Sequence, residues 1–196
     1  MPFTTSCYTT SKKITSLKGS YGCPRWFDAV YSSDLEYIKK HNKNIGKVKV
    51  FSNLLKNISM IYFQRDELGY SALHHAAIAG LREVTELLVE VGEDVEAKGQ
   101  DGATPLRCAV QEGHAQVVEI LLARGASFLD KDEDGLSMLH CAAGEGHQAV
   151  VNIILGHAPW LANEQSWSGW SPLHSASVMG HSQVVSLLLT FGANPR

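Results

Sequence analysis

The sequence has little of what usually places a protein quickly. Its 196 residues include 4 cysteines and 6 prolines. The cysteines, Cys7, Cys23, Cys108 and Cys141, form no CxxC pair and are too sparse for a disulfide framework, so reduced thiols are expected. No stretch approaches the roughly 18 uninterrupted apolar residues of a membrane-spanning helix, and the segment MPFTTSCYTTSKK lacks the apolar centre of a secretory signal. A cytoplasmic setting follows as the expectation. There is no GxxxxGK[ST], HExxH or GxSxG string, which removes the phosphate loop, the helical zinc protease site and the nucleophile elbow. Yet 44% of the chain is apolar, too much for wholesale disorder.

Bases are also scarce, but only in one part. Residues 1–65 carry 11 Lys and Arg against 3 acids, whereas residues 66–196 carry 6 against 17, so a net +8 segment joins a net −11 body. Six scattered bases cannot make the cationic stripe that phosphate neutralisation requires, and nucleic acid is excluded as a partner of the body.

What the body does have is repetition. Gly69, Gly102, Gly135 and Gly169 are 33, 33 and 34 residues apart, and Gly80, Gly113, Gly146 and Gly180 keep the same spacings. Around the first set the chain reads DELGYSALHHAA, GQDGATPLRCAV, DEDGLSMLHCAA and SWSGWSPLHSAS. Within a unit, Thr104–Glu112 opens on Thr-Pro, with Pro where its missing N–H costs nothing, and stops at Gly113, which predicts one short helix. Val117, Val118, Leu121 and Leu122 then give a second helix with one apolar stripe, ending at Gly125. Helices of about nine residues do not survive alone in water, so each pair must bury its stripe against the next.

These units resemble the ankyrin repeat, with its period of about 33 and its T-P-L-H-x-A signature. The resemblance implies an all-α solenoid of stacked helix-turn-helix units with hairpin fingers between them. Four repeats are expected at 66–98, 99–131, 132–165 and 166–196, the last without a closing cap, so that Val185 and Leu188 lie near an open end. Upstream, residues 23–65 read as a degenerate leading repeat (Trp26, Phe27, Ala29, Val30, then Leu35, Tyr37, Ile38) with a basic amphipathic insertion helix at 47–63, and residues 1–22 as a disordered, basic Ser/Thr-rich tail. A membrane-surface role through Lys47, Lys49 and Lys56 is the lesser alternative to packing on the first repeat.

Nine histidines invite metal or acid-base chemistry, but six recur at two offsets: His74, His140 and His174 in the first helix, His114, His147 and His181 after its closing glycine. Recurrence argues for structure, and the resemblance implies hydrogen bonds between helix, turn and neighbouring finger. No catalytic residue, metal site or cofactor is assigned. Three departures stand out: Gly99 where a finger usually carries Asp, Arg107 in place of the first-helix His, and Met138 in place of Pro. A weakened finger network around the second repeat is expected from them. Pro159 should turn Ala158 out of helix and reshape the fourth finger.

The resemblance places partner contacts at finger tips and the exposed side of the first helices. Those offsets supply Tyr70, Gln100, Asp101, Gln111, Glu112, Glu133, Asp134, Leu136, Glu145, Trp167, Trp170 and Met179 as contact residues, with Glu67, Leu68 and Ile78 apolar or acidic company in the first repeat. The middle is acidic and both ends are apolar, which suits a protein partner with a basic and an aromatic or apolar segment. Trp167 and Trp170 are the expected anchors, unless they fold onto Trp160. The function expected is a non-catalytic protein-interaction scaffold; the alternative is a regulatory or targeting arm of a larger enzyme, such as a kinase or an acyl transferase.

Overall fold

The computed structural model describes residues 65–195 apart from Glu67 and Val91. The expected tail, leading repeat and insertion helix, including Cys7, Cys23 and the three lysines, lie outside the described residues, as does Glu67.

Among the described residues eight α-helices occur in four pairs. They are α1 (Ala72–Ile78) and α2 (Arg82–Glu90), α3 (Pro105–Glu112) and α4 (Ala115–Ala123), α5 (Met138–Glu145) and α6 (Gln148–His157), and α7 (Pro172–Val178) and α8 (Ser182–Thr190). Among the described residues there is no β-strand, only an isolated antiparallel bridge between Lys131 and Ser137. The fold is all-α. Its packing is serial: α1 lies on α3, α3 on α5 and α5 on α7, while α2 lies on α4, α4 on α6 and α6 on α8. No extensive contact among the described helices skips a repeat, as a one-dimensional stack requires.

Local chemistry sets each helix. Ser71, Thr104, Ser137 and Ser171 occupy the N-caps with extended backbone, and Pro105 and Pro172 follow where no N–H is needed. α3 and α5 stop at Gly113 and Gly146, both left-handed. α6 is the exception. Pro159 forces Ala158 to φ −142°, and Pro159–Asn163 continues as a 3₁₀ turn that buries Leu161 and Ala162.

The small residues at matching offsets, Ala76, Ala77, Ala109, Ala142, Ala143 and Ala176, are fully buried and let the first helices approach closely, while Val117, Val118, Leu121, Val150, Val151 and Ile154 fill the layer behind them. Cys108 and Cys141 are buried and joined in no disulfide. Burial pushes the Cys108 thiol far above its ordinary range, so it behaves as a small apolar side chain. At the last repeat Leu188 is fully buried and Val185 half-buried.

Candidate protein-binding face

Each finger is a tight turn closed by its glycine. The amide of Gly69 donates to Asp66 O, Gly102 to Gly99 O, Gly135 to Asp132 O and Gly169 to Ser166 O, at 2.9 to 3.0 Å. In the first and third fingers the leading aspartate also accepts two amides, Leu68 and Tyr70 on Asp66 and Asp134 and Leu136 on Asp132. Burial raises the Asp66 pKa, but hydrogen bonds from His75 and these amides outweigh it and hold the carboxyl below its ordinary value.

Histidines join the fingers to the helices. The backbone N–H of Ser71 donates to His74 Nδ1 (3.1 Å), which leaves the ring proton on Nε2 to donate to Ala103 O of the second finger (3.0 Å). His140 repeats this between Ser137 and Trp170 O of the fourth finger, at 3.1 and 2.8 Å. Burial lowers the pKa of both rings, that of His74 to about 4, so the neutral tautomer is kept. The second set points the other way. His114, His147 and His181 donate from Nε2 to Ile78 O, Gln111 O and Gly144 O in the preceding repeat, at 2.9 to 3.0 Å. Their rings occupy the space over Gly80, Gly113 and Gly146, where any Cβ would fall within 2.6 Å of the imidazole. Five of the six recurrent histidines thus couple repeats, while His174 bonds Ser171 within its own. Among the described residues no group of three His, Cys, Asp or Glu could hold a metal ion.

Around the second repeat the expected weakening is overturned. Arg107, standing where a His is usual, reaches Asp132 of the third finger (Nη2 to Oδ2, 3.0 Å), with side chains only 13% and 6% exposed. A charge-assisted bond replaces the imidazole link. Gly99 is also compensated. A Cβ there would lie 2.4 Å from the Tyr70 ring, and Asp101, two residues on, accepts both the Ala103 amide (3.0 Å) and the Tyr70 hydroxyl (2.7 Å).

That arrangement corrects the placing of Tyr70 on the contact surface. Its residue is 1% exposed, stacked on His74 with ring centroids 4.9 Å apart, so the first repeat offers no aromatic anchor there. Leu68 and Ile78 are likewise half-buried against the core, so apolar side chains are prominent on this face only at the fourth repeat. Leu136 is half-buried. Trp170 turns back onto its own repeat, its Nε1–H donating to Ser175 Oγ (3.1 Å) and its ring against His174, and is half-buried.

The remaining positions do present themselves. Gln100, Asp101, Glu133 and Asp134 are exposed, and Gln111, Glu112 and Glu145 half-exposed. Burial chiefly raises the Glu145 pKa, and the negative charge of Glu112 one repeat away adds to it, so these carboxylates share a local field. At the fourth repeat Trp167, Val178 and Met179 are 72%, 53% and 45% exposed. Trp167 does not fold onto Trp160; its indole lies over Gly135, where a Cβ would meet the ring at 2.6 Å, and its amide donates to Asp134 O (3.1 Å). Lys131 Nζ, paired to Glu164 at 2.8 Å, sits 5.3 Å from the ring centroid. Offset counting found Trp167 but could not show this seat, because Gly135 and Lys131 belong to earlier units.

Among the described residues no helix is long and apolar enough to cross a membrane. No curated protein matches the chain. A family model described as ankyrin repeats (3 copies) matches residues 41–132 and 126–196. With that coverage, and with helix pairs stacked in single file and coupled through periodic histidines, the chain belongs to the ankyrin-repeat family.

Proposed function

We propose that this stack is a non-catalytic scaffold that holds a basic segment of a protein partner along its fingers and first helices. Ankyrin repeats are generally protein-interaction modules. What supports the specific reading is the exposure found at the finger and first-helix offsets: Asp101, Glu133 and Asp134 are exposed and Glu112 and Glu145 half-exposed in the middle repeats, and Trp167, Val178 and Met179 are exposed in the fourth. Carboxylates steer a cationic segment and fix its register, while the apolar end supplies desolvated contact area. A cytoplasmic partner is expected.

Glu133→Lys with Asp134→Lys, and separately Trp167→Ala, should each remove most capture of the principal bound protein by the immobilised full chain, read by quantitative mass spectrometry, while the thermal melt stays unchanged. Undiminished capture by both variants would refute the assigned face.

A further inference from the structure

Trp167 combines two properties that rarely occur together, wide exposure and a fixed pose. Its backbone is held by Asp134 O, and one ring face is seated over Gly135 with Lys131 nearby. With 72% of the residue exposed, most of the indole surface remains in water. A pre-ordered aromatic surface loses little side-chain entropy on binding. Lys131 shows that the ring already attracts a cation within the molecule, and Lys131 itself is retained by Glu164. Asp134, whose carbonyl accepts the Trp167 amide, and its chain neighbour Glu133 are both exposed.

We propose that the open face of Trp167, together with the neighbouring Asp134 carboxylate, is a subsite for an arginine side chain of the protein partner. The assignment rests on the basic-partner reading above and names its anchor. Guanidinium is planar, is weakly hydrated and stacks flat on an indole while its edge still donates to a carboxylate. A lysine ammonium is a compact, strongly hydrated point charge that gains less from the same surface. The site therefore discriminates between the two bases.

The test uses the full chain with fluorophore-labelled nona-arginine and nona-lysine peptides, compared by fluorescence anisotropy at equal, low ionic strength. Nona-arginine is expected to bind about threefold tighter, the scale of an exposed cation–π contact. Trp167→Ala should bring that ratio to about one, Trp167→Phe should keep most of it, and Trp160→Ala, at a residue 66% exposed elsewhere, should leave it intact. A thermal melt of each variant checks the fold. Equal binding of both peptides, or a ratio indifferent to Trp167→Ala, would overturn the subsite; if Glu133→Lys with Asp134→Lys still weakened both peptides, the basic-partner reading would stand. Failure of both peptides to bind would overturn both readings.

Discussion

The junction between the second and third repeats and the two that flank it do the same work with different chemistry. At the flanking junctions a buried neutral imidazole, His74 or His140, spans from an N-cap to the next finger's carbonyl. At the middle one an arginine, Arg107, pairs with the leading aspartate of the next finger. All three junctions keep the backward link from His114, His147 or His181. What the geometry demands is therefore a donor delivered to the next finger, not a histidine as such. The price differs: the imidazole must stay uncharged, whereas the guanidinium must stay charged and paired.

Breaking the ionic junction should have the largest effect. Asp132→Ala removes the partner of an Arg107 that is 13% exposed, and also the acceptor for two finger amides, with an expected loss of about 3 to 4 kcal/mol. Urea unfolding of this variant measures it, and a loss under 1 kcal/mol would make the pair incidental.

Acid should separate the two designs. The native pKa of His74 is about 4 against an ordinary 6.5, so the unfolded chain takes up the proton more readily. Stability from this group is complete above about pH 6.5 and declines as pH falls toward 4, by about 2 to 3 kcal/mol. His140 is shifted the same way. Hydrogen exchange should show the second and fourth fingers loosening first as pH drops, and the third, which has no imidazole in its link, later. His74→Gln should flatten the pH slope of unfolding.

The compensation at Gly99 can be sharpened by Gly99→Ala, expected to cost about 2 kcal/mol because the added methyl meets the Tyr70 ring, which has no room to move away from His74 and Asp101. The smallest effect is expected where two loops meet in solvent: Lys98 and Asp130, 3.5 Å apart and 59% and 39% exposed, should tolerate Lys98→Ala within about 0.5 kcal/mol in the same assay.

Much of the architecture could be read from residues alone because it is written in local terms. The glycines mark turns, Thr-Pro and Ser-Pro mark helix starts, and Pro159 marks where α6 gives way to a 3₁₀ turn. The coupling role of the histidines was visible as recurrence. Compensation was not. Gly99 and Arg107 look like losses within their own repeat, and the groups that redeem them, Tyr70, Asp101 and Asp132, sit in another finger or two residues along. The same holds for exposure. Tyr70 follows its finger glycine and Trp167 precedes its own by two residues; a neighbouring aspartate and a facing glycine bury the first, while the second finds a seat that leaves most of it in water.

Arg107 and Asp132 belong to different units. Duplicating or deleting the first or last unit leaves the ionic junction between the middle two whole. Cutting the gene between the middle two would part Arg107 from Asp132. In recombination, natural or engineered, those two modules travel together.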